Sequence, residues 1–241
     1  MQKLQSLRLT AFAAAWAEQQ KNPEVNQLSF DERLGMLVDA EALARENARI
    51  ARCLREAKLR MSNACLENLD FSPKRELDKT VMRQLGNCRW VAEHQNVLVT
   101  GATGTGKTYV ACALAQQACR KGYRAIYRRV PRLFEELTLA HADGSYARLL
   151  ARLAKANVLV LDDWGLAPLN ERERRDLLEI VDDRHGAGST IITSQLDPKL
   201  WHDQLGDPTI ADAVCDRLIH NAHKLVLKGP SRRKEEAAAQ K

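Results

Sequence analysis

Gly101-Ala102-Thr103-Gly104-Thr105-Gly106-Lys107-Thr108 follows the β-prone run Asn96-Val97-Leu98-Val99 and opens a helical stretch, Val110 to Ala118. The eight residues match G-x-x-x-x-G-K-[ST] in full, in the strand–loop–helix context that the motif requires. Glycines at 101, 104 and 106 let the backbone curl so that several N–H groups point inward at phosphate oxygens. The helix that follows adds the positive end of its dipole. All eight positions are candidate phosphate-binding residues. Lys107 is placed to neutralise the β- and γ-phosphates, and the Thr108 hydroxyl to ligate Mg²⁺. A chance glycine-rich turn has no reason to sit between such a strand and such a helix.

Downstream, Val158-Leu159-Val160-Leu161 is an apolar strand that ends in Asp162 and Asp163. Asp162 is the candidate second metal residue and Asp163 the candidate general base for an attacking water. Aspartate is one methylene shorter than the glutamate many such ATPases carry there, so the water must sit closer or hydrolysis is slow. Thr190-Ile191-Ile192-Thr193-Ser194-Gln195 is a β-run with a polar end. In a parallel sheet it can lie between the other two strands, its end facing the γ-phosphate. Ser194 is the first choice for a polar sensor, with Gln195 or Thr193 as substitutes. Arg217 sits on a late helix, Asp207 to Asn221. Its planar fork suits transition-state phosphate charge, often supplied by a neighbouring subunit. An intrahelical pair with Asp212 is the plain alternative.

Further strands are expected at Arg124 to Val130 and Lys224 to Leu227. Helices are expected at Pro131 to Ala140, Ser145 to Ala156 and Asn170 to Arg184. Apolar strands alternating with helices give an α/β fold, a five-stranded parallel sheet buried on both faces. Residues 1–65 read as a small all-helical domain. Ser29-Phe30-Asp31-Glu32 fits a capping box, with a long helix from about Phe30 to Met61. Arg45, Arg49, Arg52 and Arg60 are candidate contacts to a DNA backbone, against the plain reading of a solvated face. Residues 66–94 read as a connector with a helix from Asp78 to Trp90. The nucleotide domain is expected over 95–230, and a flexible basic tail over 231–241.

The 241 residues carry a formal net charge of +6, compatible with a polyanionic partner. The six cysteines form no Cys-x-x-Cys pair, which argues against a zinc site or disulfide framework and for a reducing compartment. No apolar run approaches the length of a membrane span, and the start lacks a signal-peptide pattern. A cytoplasmic protein is expected.

Taken together these residues resemble the AAA+ ATPases of the helicase-loader (DnaC and initiator) branch, and within it the IstB-type helper ATPases of bacterial insertion sequences. The likeness runs from Leu4 to Trp16 through Leu28 to Leu34, Ala44-Arg45-Glu46-Asn47, Asp70-Phe71 and the phosphate loop. It continues in Leu161-Asp162-Asp163-Trp164-Gly165, Ile192 to Gln195, Ala211-Asp212-Ala213 and Asp216-Arg217-Leu218. The resemblance implies ATP and Mg²⁺ as cofactors, and assembly into an oligomer on duplex DNA with nucleotide at subunit interfaces. It also implies delivery of deformed target DNA to a DDE transposase of the same element, with release on hydrolysis. By the same resemblance Arg217 matches the arginine that reaches a neighbour's nucleotide. Two departures stand out: Ala102 replaces a common proline, and Lys228 to Lys234 differs from the usual pattern, so no nucleotide contact is assigned there. The rival readings are a replicative helicase loader, an ATP-binding DNA scaffold without turnover, and a small-molecule kinase, for which no acceptor lid is evident.

Overall fold

Ser29 and Glu32 form the expected capping box. The Glu32 amide donates to Ser29 Oγ at 3.3 Å, and the Ser29 amide donates to the Glu32 carboxylate at 2.8 Å. The computed structural model describes residues 1–232, so all but the first two residues of the expected 231–241 tail lie outside the described residues. Met1–Arg52 forms one compact unit, and the chain from Cys53 onward forms another. The first unit holds α1 (Gln2–Ser6), α2 (Thr10–Lys21) and most of α3 (Phe30–Ala57). Glu41 on α3 accepts from the Ala11 and Phe12 amides at 3.0 and 3.1 Å, which have no partner within α2 itself. The Phe12 amide and then Arg45 hold its carboxyl below the usual carboxylate range.

In the second unit, α4 (Lys79–Gly86) and α5 (Arg89–Ala92) replace the single helix expected from Asp78 to Trp90. Gly86 ends α4, and Cys88, at φ 59°, turns the chain left-handed before α5. Met82, Leu85, Trp90 and Val91 then pack into the core of this unit. The remaining elements are β1 (Asn96–Gly101), α6 (Lys107–Arg120), β2 (Ala125–Arg129), α7 (Val130–Asp143), α8 (Tyr146–Ala154), β3 (Val158–Trp164), α9 (Glu171–Arg184), β4 (Ser189–Ser194), α10 (Trp201–Leu205), α11 (Pro208–Ile219) and β5 (Ala222–Leu227).

The strands form one parallel sheet in the order β2-β3-β4-β1-β5. Alternation along β1 sends Val97 and Val99 to one face and Leu98 to the other. On the first face lies α6, rich in alanine and cysteine, whose small side chains let it settle closely on the sheet. On the second lie α7, α8, α9, α10 and α11, with Leu133, Leu137, Leu177, Ile180 and Val214 packed against Leu159, Leu161 and Ile192. The result is the expected three-layered α/β fold, with β4 between β1 and β3.

One buried cation fixes the end of the sheet away from the phosphate loop. Arg184 is 2% exposed. Its Nη1 donates to the Leu153 and Ala156 carbonyls at 2.7 Å, its Nη2 to the Ser189 carbonyl at 2.5 Å, and its Nε to Thr190 Oγ1 at 3.3 Å. Arg184→Met keeps the apolar stem but leaves buried acceptors unpaired. It is expected to lower unfolding free energy by at least about 3 kcal/mol in urea titrations.

Candidate functional site

The carboxyl ends of β1, β2, β3 and β4 converge on one end of the sheet, where ligands bind in open α/β folds. From β1 the chain enters the glycine-rich loop. Gly101 has φ 145°, and a Cβ there would fall 2.2 Å from the Leu227 carbonyl oxygen. Gly104 has φ 82°, and its Cβ would fall 2.1 Å from Ser231 Oγ. Both positions therefore require glycine. Inside the curl, Lys107 Nζ donates to the Gly101 and Ala102 carbonyls at 2.8 Å, and Thr105 Oγ1 donates to the Ala102 carbonyl at 2.8 Å. Thr103 Oγ1 donates to Gln195 Oε1 at 2.7 Å, tying the loop to the end of β4.

Thr108, in the first turn of α6, donates to Asp162 Oδ1 at 2.9 Å, so β3 brings its carboxylate directly to the loop's hydroxyl. Asp162 is wholly buried. It also accepts from Tyr127 Oη at 2.6 Å and Thr193 Oγ1 at 2.5 Å. Three hydroxyls thus satisfy a buried carboxylate and fix its plane. Burial, reinforced by the bond to Asp162, pushes the Tyr127 phenol well above its ordinary value, so it stays a donor. The hydroxyl and carboxylate are hard oxygen donors of the kind that hold Mg²⁺ jointly with substrate phosphates. These residues fit that ion.

Asp163 departs from strand geometry. Its φ is 64°, and the β3–β4 register shifts between Leu161 and Trp164. This bulge turns the Asp163 carboxylate toward the cavity while its amide donates to Thr193 Oγ1 at 3.1 Å. Asp163 Oδ2 accepts from Arg129 Nε at 2.7 Å, an ion pair that raises the guanidinium's pKa. The cavity between loop and carboxylates has a volume of about 400 Å³ and includes Lys107, Thr108, Asp163, Gln195, Arg129 and Arg60 in its lining.

Several expected residues lie elsewhere. Ser194 does not face the cavity: its hydroxyl donates to the Trp164 carbonyl at 3.0 Å and accepts from the Leu196 amide. Alternation along β4 turns Thr193 to the carboxylates and Ser194 away, and Gln195 reaches the cavity. Arg60 belongs to the second unit and lies past the end of α3 at Ala57, whereas Arg45, Arg49 and Arg52 belong to the first. Arg45 pairs with Glu41 at 2.7 Å, Arg49 lies 3.8 Å from Glu46, and Arg52 is exposed. Arg217 faces away from this chain's own cavity and pairs through Nε with Asp182 on α9, rather than with Asp212.

Tyr127, Arg129 and Arg232 are additional. Register pairs Arg129 with Asp162 across β2 and β3, so its strand-end position was the available signal. Arg232 belongs to the stretch given no nucleotide contact, yet it lines the cavity. Its amide donates to the Gly104 carbonyl at 3.0 Å, and its guanidinium meets Asp70 at 2.8 Å. The Ser72 amide, then Arg232, holds the Asp70 carboxyl down at about 2.

Residues 2–239 match the family model described as IstB-like ATP binding protein. Protein y4pL of Sinorhizobium fredii, named for an insertion sequence and ATP binding, is 47% identical over 98% of this chain and 96% of its own. The ATP-binding protein named for insertion sequence IS1162 of Pseudomonas fluorescens is 52% identical over 81% of this chain and 85% of its own. Among solved structures, DnaI superposes with a TM-score of 0.59 at 23% identity, over 69% of this chain and 92% of that one. AMPPCP-bound DnaA from Aquifex aeolicus gives 0.57 at 19% identity, over 73% and 55%. These are likenesses of AAA+ fold. No helix among the described residues is long and apolar enough to cross a membrane.

Proposed function

Because the chain belongs to the IstB-like ATP binding protein family, we propose that it is a magnesium-dependent ATPase that serves transposition. In this reading it assembles as an oligomer on duplex DNA with ATP, presents that DNA to a transposase of the same element, and disassembles on hydrolysis. The observation that carries the enzymatic half is the meeting of Thr108, Asp162 and Asp163 at one end of the sheet, beside Lys107. The names of the relatives and the chain's positive charge support the other half.

Lys107 and the loop amides hold the β- and γ-phosphates, in place of the carbonyls that the ammonium now meets. Thr108 and Asp162 would hold Mg²⁺, which when bound draws charge from the phosphate oxygens. Asp163 takes the proton of a water as that water attacks the γ-phosphorus, and the bond to the β–γ bridging oxygen breaks. Arg129 holds one carboxylate oxygen, which leaves the other for the proton. Gln195, tied to Thr103, takes the sensor position that Ser194 does not reach. Arg217 acts on a neighbour's nucleotide.

The test measures phosphate release with and without duplex DNA, and DNA affinity against salt. ATP-dependent release is expected, stimulated by DNA. Contacts from Arg45, Arg49 and Arg52 predict a log–log salt slope of about −3 per subunit. Absence of release under both conditions defeats the enzymatic reading, and a flat salt response defeats the arginine stripe. Pull-down with transposase, but not with replicative helicase, is the expected partner result.

A further inference from the structure

Arg60 stands where its sequence neighbours do not. Ala57 and Ala64 on either side of it are wholly buried, and Leu59 packs on the same core. Lys58, at φ 50°, turns the chain out of α3. The main chain carrying Arg60 is thus fastened down, while its side chain stays 42% exposed and lines the cavity. Its Nη1 lies 3.7 Å from Asp162 Oδ2 and 3.8 Å from Asp163 Oδ2. Those distances give electrostatic attraction without a committed hydrogen bond.

Charge bookkeeping around the cavity points the same way. Arg60, Lys107, Arg129 and Arg232 line it, against Asp163 in the lining, Asp162 buried beside it and Asp70 paired with Arg232. The surplus is positive, which suits an anionic magnesium–triphosphate complex. Arg129 is already bonded to Asp163 and Arg232 to Asp70. Lys107 sits within the loop, bonded to the Gly101 and Ala102 carbonyls. Arg60 lies over the two carboxylates assigned to magnesium and to the attacking water, the groups that act on the terminal phosphate. A guanidinium is a planar fork of donors that suits phosphate oxygens.

We propose that Arg60 binds the terminal phosphate of ATP in cis and makes the site distinguish triphosphate from diphosphate. This rests on the ATP-site reading above, and it removes Arg60 from the DNA-binding stripe.

The experiment is calorimetric titration of the full chain, and of Arg60→Ala and Arg60→Lys, with AMPPCP and with ADP in the presence of Mg²⁺. Loss of charge-assisted bonds to a terminal phosphate is expected to weaken AMPPCP binding by about tenfold or more. ADP affinity should stay within about twofold of the parent, which also reports an intact loop, and Arg60→Lys should recover part of the loss. An unchanged AMPPCP-to-ADP ratio in Arg60→Ala overturns the proposal. So does an equal loss for both nucleotides. If the parent chain binds neither nucleotide, the ATP-site reading itself falls.

Discussion

Lys107→Ala is expected to abolish measurable nucleotide binding, weakening ATP and ADP affinity by at least about a hundredfold in calorimetric titration. The size follows from position. The ammonium lies inside the loop, 2.8 Å from the Gly101 and Ala102 carbonyls, where the β- and γ-phosphates would meet it. Alanine removes the full charge and leaves two carbonyl oxygens facing the entering phosphates. Arg60, Arg129 and Arg232 lie around the cavity rather than inside the curl, so they do not substitute. An affinity equal to the parent's would contradict the phosphate-cradle reading.

Asp163→Asn should separate binding from turnover. The substitution suits the backbone, because asparagine tolerates the left-handed region that Asp163 occupies at φ 64°. The Asp163 amide keeps its bond to Thr193, since that contact is main chain. What changes is the basic oxygen and the charge opposite Arg129. Single-turnover phosphate release is expected to fall by about 10²–10⁴-fold, the usual worth of a general base. Nucleotide and DNA binding should persist, and the assembled form should stay on DNA far longer. If the variant leaves DNA with ATP as fast as the parent, Asp163 is not the base.

The phosphate loop and the acidic end of β3 were legible because each is a contiguous run whose chemistry depends on its own spacing. The centre of the sheet was legible because β1, β3 and β4, buried on both faces, read as apolar runs, whereas the edge strands β2 and β5 carry charged or exposed residues. Arg60 and Arg232 reach the cavity from beyond α3 and beyond β5, and Tyr127 reaches Asp162 from β2, by packing that no local pattern encodes, whereas Arg129 had its strand-end position as a signal. Ser194 is a different case. Strict alternation along β4 puts Thr193 and Ser194 on opposite faces, so the period of the strand already separated them. Arg60 shared helical spacing with Arg49 and Arg52, but α3 stops before it, and periodicity beyond a helix's end carries no information about direction.

In the proposed assembly, the pairing of Arg217 with Asp182 would set a condition on how subunits join. An arginine already matched to a carboxylate has no net charge to gain from merely approaching another surface. It moves only when the rival anion is the stronger one. A terminal phosphate, carrying more charge than one carboxylate, meets that condition, and a cleaved diphosphate set back in its cradle does not. Association between copies would therefore be an exchange of anions, close to neutral when the neighbour's pocket is spent and favourable when it is loaded. Cohesion of the assembly would then be a readout of fuel, with Asp182 setting the threshold.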